Sequence, residues 1–226
     1  MGDAAALALL RAWERGGSAR GEARAVALAA ADRDQEAVWD LPLGARNVLL
    51  LALRDRCFGS AVACSVTCPG CGEELDVEFD LAELTTVAAA DPTVALDGTA
   101  VAFRPVTSRD VASARAAADP RGALVLGCVV DAGAAAGVAL VEAVAGRLAA
   151  ADPSAEPALD LTCAACGCGW RAPFDVAEHV WADVDAAARR LLGEVHRLAC
   201  AYGWREPDVL ALSPARRRHY LDLVDG

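Results

Sequence analysis

Cys68-Pro69-Gly70-Cys71-Gly72 and Cys163-Ala164-Ala165-Cys166-Gly167 decide how this chain is read. Each opens a segment that can be laid on the other without a gap. The first runs on to Phe79-Asp80-Leu81-Ala82-Glu83 and the second to Phe174-Asp175-Val176-Ala177-Glu178. The shared pattern is C-x-x-C-G, six residues, then F-D-[LV]-A-E, with Thr67 and Thr162 at matching places just before it.

Each part of the pattern has a physical reason. Two cysteines two residues apart can grip one metal ion from a tight turn, and the glycine that follows tolerates the backbone shape of such a knuckle. The next strand leads to a phenylalanine that can pack beneath the site. The aspartate then starts a helix, and the glutamate three residues on completes a capping box. One knuckle alone also suits disulfide exchange. Two matching knuckles supply the four thiolates of a closed structural zinc site, so Cys68, Cys71, Cys163 and Cys166 are the expected ligands of Zn2+. Cys168 and Cys64 stand near the knuckles and are the residues that could replace one of the four. Cys57, Cys128 and Cys200 lie in helical, apolar stretches and read as small core residues.

Around the knuckles the pattern is mixed. Ala4–Glu14, Glu22–Ala31 and Arg46–Arg54 carry apolar helical patterns. β-type runs follow at Ala61–Thr67, Leu75–Phe79, Thr99–Arg104, Ala158–Thr162 and Trp170–Phe174. Ser108–Ala118 and an alanine-rich region up to Ala151 read as helical, with Asp119-Pro120 and Asp152-Pro153 as stops. Val176, Val180, Val184, Ala187, Leu191, Val195, Leu198 and Tyr202 recur at helical spacing and predict one long amphipathic helix, ended by Gly203. A short helix at Pro207–Leu212 follows, and Ser213-Pro214 then caps a last one reaching about Val224. The expected fold is α+β: helical N- and C-terminal segments, residues 1–60 and 176–226, around a small duplicated β core resembling a zinc ribbon, residues 61–175. An α/β insertion occupies about 84–157 of that core, and the whole forms one cooperative unit.

Composition limits the function. The hydrophobic fraction of 55% provides a packed core. The net charge of −11 repels phosphate backbones, so no nucleic-acid partner is expected. Arg216-Arg217-Arg218 is the best local basic run, and it reads as a solvated helix face. Met1-Gly2-Asp3 carries no secretory pattern, and Asp131 and Glu142 interrupt the most apolar stretch, Gly122–Gly146, which reads as buried helices and a loop. No membrane span is expected, and the reduced thiols of a cytoplasmic protein suit metal binding. His179, His196 and His219 are isolated, with His179 near enough to the second segment to approach the metal but read as a helix-surface residue. There is no Ser-His-Asp grouping, phosphate loop or carboxylate pair in a cleft, so neither an enzyme nor a small-molecule substrate is expected.

Several stretches together resemble a known family. They are Trp39-Asp40-Leu41-Pro42-Leu43-Gly44-Ala45-Arg46-Asn47 with Leu49–Arg54, then Cys57-Phe58-Gly59, the two knuckles, and Phe174-Asp175-Val176. The most specific is Arg190–Ala199 with Tyr202-Gly203-Trp204, Leu210–Arg217 and Tyr220-Leu221. The chain resembles the T4-like baseplate hub assembly chaperone family, found with contractile phage tails and bacterial phage-tail-like contractile injection systems. The second knuckle lacks the proline of the first, and the resemblance leads one to expect histidine at Cys168. It implies a non-enzymatic role in building a baseplate or its hub, with baseplate or hub proteins as partners and Trp204 and Tyr220 as anchors on the helical ends. Two other readings of the knuckles remain: a zinc-ribbon regulator that binds nucleic acid, and a CxxC thiol oxidoreductase.

Overall fold

The computed structural model describes residues 3–31, 33–85, 92–96, 98–131 and 137–226. Met1, Gly2, the loop expected within Gly122–Gly146 and the start of the expected insertion fall partly or wholly outside them. The chain begins with four helices, α1 Asp3–Gly17, α2 Glu22–Ala29, α3 Gln35–Trp39 and α4 Leu43–Phe58. It ends with three, which we number α8 Val176–Tyr202, α9 Glu206–Leu210 and α10 Pro214–Asp225. The stripe read along α8 faces inward from Val176 through Val180, Val184, Ala187, Leu191, Val195 and Leu198, all buried, but its last member, Tyr202, is exposed. The buried members meet Leu9, Leu28, Leu50 and Leu53 in one cluster that joins the two ends of the chain. Each fully buried leucine of this kind contributes about 1.5–3 kcal/mol relative to exposure.

Small residues let these helices approach closely. A Cβ on Gly16 would stand 2.6 Å from the Trp181 ring. Arg24 lies over that ring at 4.4 Å, and Trp13 Nε1 donates to Asp185 at 2.7 Å, so α1 and α2 are tied to α8 by polar as well as apolar contacts. Gly203 ends α8 in the left-handed region, φ 69°, and its N–H donates to Ala199, while Ser213 caps α10 as its sequence indicates.

Between the helical ends the described residues form three small antiparallel sheets. The hairpin β1 Ala61–Thr67 with β2 Glu74–Asp80 carries the first knuckle, and β6 Ala158–Thr162 with β7 Gly169–Pro173 carries the second. The third sheet has the order β3 Thr93–Leu96, β4 Thr99–Phe103, β5 Val129–Asp131. It packs with α6 Pro120–Cys128 and α7 Gly137–Ala151, where Val101, Phe103, Val125, Leu140 and Val144 form a second apolar cluster, while α5 Ser108–Ala114 lies against α6 and α2.

The structure departs from the sequence reading where distant groups intervene. Helix α4 begins three residues before the expected Arg46 because its first turn is held from outside. The Asp152 carboxylate accepts from Gly44 N–H at 2.8 Å, and Leu43 N–H donates to Val106 at 2.8 Å. Helix α3, with Asp34 as its cap, and strands β3 and β5 are too short for periodicity to mark. Asp119 caps α6 but does not stop the helix before it, which ends at Ala114, short of the expected Ala118.

Candidate metal centre

Each knuckle is a hairpin turn fixed by the same two hydrogen bonds. Cys68 N–H donates to the Glu73 carbonyl at 2.8 Å and Gly72 N–H to the Cys68 carbonyl at 2.9 Å. In the second turn Cys163 N–H donates to Cys168 and Gly167 N–H to Cys163, both at 2.9 Å. Gly72 and Gly167 have φ of 78° and 72°, where a side chain would be strained. Both strand pairs close at equivalent residues, Thr67 opposite Glu74 and Thr162 opposite Gly169.

These turns meet. The Sγ atoms of Cys68, Cys71, Cys163 and Cys166 all lie within 4.8 Å of one another. The first cysteine of each knuckle pairs with the second of the other: Cys68 with Cys166 and Cys71 with Cys163, both at 3.7 Å. Zinc bonded to four sulfurs at ~2.3 Å holds them ~3.8 Å apart at tetrahedral corners, so the spacing suits that ion. A covalent S–S bond of ~2.05 Å is far shorter. Cys68 and Cys163 are buried, while Cys71 and Cys166 are exposed.

Four thiols this close cannot all ionise without a cation. Burial works against ionisation of Cys68, yet the N–H groups of Cys71 and Gly70 and the neighbouring thiols bring it down to about 7. Cys166 accepts a hydrogen bond from the Cys168 backbone, but proton sharing with Cys71, Cys163 and Cys68 pushes it up to about 12. A bound divalent ion removes this conflict by compensating the thiolates, and loading it releases protons.

Phe79, opposite Val62, and Phe174, whose N–H donates to Pro157, lie at the hairpin ends away from the knuckles and not beneath the sulfurs as expected; they meet edge to face with ring centres 5.4 Å apart. The His179 ring lies tilted against Phe174 with centres 4.8 Å apart and faces Asp183 at 3.6 Å. It is therefore neither a ligand of the cysteine group nor the surface residue its sequence position suggested. Burial lowers its pKa. The first F-D-L-A-E segment forms a single 3-10 turn at Leu81–Leu84, with both halves of the capping box made by Asp80 and Glu83. In the second segment Asp175 caps α8 by accepting from Glu178 N–H.

Of the five other cysteines, Cys168 and Cys64 are not members of the four-sulfur group. Cys168 lies beside Gly70 of the opposite turn, where an added Cβ would stand 3.3 Å from its sulfur. Cys64 packs against the main core. Cys128 is fully buried and Cys57 half-buried. Cys200 corrects the sequence reading: it is exposed, because it sits one turn after His196 on the outer face of α8, with its sulfur 3.8 Å from the ring.

Two further groups were only partly legible. Trp204 and Tyr220 do not project as separate anchors but pack together at 4.9 Å, and Tyr202 stacks on Trp204 at 4.8 Å. The spacing Tyr202-Gly203-Trp204 across a helix end carried that signal. Arg217, read as part of a solvated face, is 3% exposed; its guanidinium reaches Glu194 at 2.9 Å and the Leu212 carbonyl at 2.7 Å. Arg216 and Arg218 do remain exposed. No helix among the described residues is long and apolar enough to cross a membrane.

Residues 25–132 match the family model described as T4 bacteriophage base plate protein. The match runs from α2 to the end of the third sheet, taking in the first knuckle and stopping before the second. It supports a protein related to phage baseplates. No curated protein and no solved structure matches the chain.

Proposed function

We propose, from the baseplate likeness of residues 25–132, that this chain is a non-enzymatic assembly chaperone or minor baseplate or hub component of a phage-tail-like contractile injection particle. The observation that carries the baseplate role is the family match itself. The convergence of the four sulfurs supports a structural role for the metal, since two distant hairpins supply a complete set of ligands.

In this reading Cys68, Cys71, Cys163 and Cys166 hold Zn2+, and the duplicated hairpins form a zinc-ribbon-like core. Four thiolates fill a tetrahedral zinc and leave no position for a substrate, which is the arrangement of structural zinc sites. The ion would clamp residues 92 apart in the chain, so its binding would add directly to folding stability. The Tyr202, Trp204 and Tyr220 corner offers aromatic surface to a partner, the residue type that dominates interface hot spots.

Proteomics of purified particles, run beside a deletion strain, tests the role. Loss of assembly with the protein absent from finished particles marks a chaperone, and its presence in them marks a component. Normal particles from the deletion strain, with no baseplate or hub protein captured by the tagged chain, would overturn both.

A further inference from the structure

A groove between α1 and the C-terminal half of α4 belongs neither to the cysteine centre nor to the aromatic corner. It encloses about 330 Å3. Ala5, Ala8, Leu53 and Cys57 line it, and Arg11 and Arg15 stand at its α1 edge. No described aspartate or glutamate lines it, although the whole chain carries −11. Arg11 is exposed and has no hydrogen-bond or ion-pair partner among the described residues. Arg15 donates through Nε to the Ala27 carbonyl at 3.3 Å, an uncharged partner that leaves its positive charge uncompensated. Leu7, one helical turn before Arg11, is 43% exposed and extends the apolar strip along α1.

We propose that this groove receives an acidic amphipathic helix of a partner protein. A helix laid in a groove buries its apolar face through residues spaced three and four apart, which suits a lining of alanine and leucine between two helices. The arginine rim selects the sign of the flanking charges and speeds encounter. A phosphate backbone gains nothing from the apolar lining and meets the repulsion of the whole chain. A second copy of this chain brings the same net negative charge. The inference stands on the groove alone and does not depend on the metal or on the baseplate role.

The test uses the full chain and a fluorescein-labelled helical peptide with leucines at i, i+3, i+4 and i+7 and glutamates elsewhere. Its counterpart has lysine at each glutamate. Fluorescence anisotropy is expected to show binding of the acidic peptide that weakens with salt, and no comparable binding of the basic one. Arg11→Glu, at an exposed position without partners, is expected to weaken the acidic peptide about tenfold. Arg11→Gln should give a smaller loss, and it supplies the answer should the charge reversal fail to fold. Equal binding of both peptides, or binding unchanged by either substitution, would overturn the proposal. So would a dimer of the wild-type chain, seen by light scattering, that Arg11→Glu splits while no peptide binds.

Discussion

Phe79 and Phe174 occupy matching positions in two hairpins, and their rings meet edge to face at 5.4 Å at the hairpin ends away from the knuckles. One phenylalanine from each hairpin thus joins the two where they enter the main apolar cluster. Phe79→Ala is expected to cost about 3 kcal/mol, near the lower end for a truncated buried phenylalanine. Phe174→Ala, at a half-buried position, should cost less. A double-mutant cycle by urea denaturation should return a coupling of about 1 kcal/mol, as for other aromatic pairs. Additive losses would mean the rings are neighbours without mutual stabilisation.

Gly44 and Asp152 fix how the middle of the chain docks on α4. A Cβ at position 44 would fall 2.0 Å from the Asp152 carboxylate. Gly44→Ala should therefore cost about 1–3 kcal/mol by overpacking. Asp152→Ala removes a cap at about 1 kcal/mol. Because it also removes the clash, the double variant should lose less than the two single losses together. Thermal melts of all three would show this, and strict additivity would refute it.

Arg217 should behave unlike the arginines on either side of it. Its removal leaves Glu194 and the Leu212 carbonyl without their partner, at a cost of about 2–3 kcal/mol for a half-sheltered pair. Arg216→Ala and Arg218→Ala should each change stability by less than about 0.5 kcal/mol. Urea midpoints of the three variants separate a structural arginine from a basic patch.

The Asp110 carboxylate supplies a pH signature. Arg104 grips both its oxygens, at 2.6 and 2.8 Å, and the Thr107 hydroxyl donates to it at 2.6 Å. Burial opposes its ionisation, yet these donors prevail and hold its pKa below the ordinary 3.8. A lowered folded-state pKa adds stability that is fully present above the unfolded value and lost as pH falls through the folded one. The stability gap between wild type and Asp110→Asn should therefore be constant above pH 3.8 and close below it. Denaturation midpoints measured across that range check the sign; a gap that widens in acid would contradict it.

How much of this could be read beforehand depends on the distance over which each feature is fixed. The knuckles were legible because C-x-x-C-G, the strand and the F-D-[LV]-A-E segment are local and occur twice. Helix α8 was legible because its apolar stripe is long and periodic. The start of α4 was not, since its capping carboxylate comes from 108 residues away. The burial of Arg217 depends on Glu194 in another helix, and the exposure of Cys200 depends on which face of α8 meets α10. The short strands β3 and β5 exist because β4 pairs with each, which no run of three or four residues can announce.

Metal analysis of the purified chain and its cysteine variants tests the central claim most directly. Elemental analysis of protein prepared without chelator is expected to find zinc, a single ion per chain, in the wild type and in Cys168→Ser, Cys64→Ser and Cys128→Ser. Cys71→Ser and Cys166→Ser, whose thiols are exposed and make no core contact, should lose it and melt at lower temperature. Iron in place of zinc, no metal at all, or zinc retained by both of those variants would contradict the account.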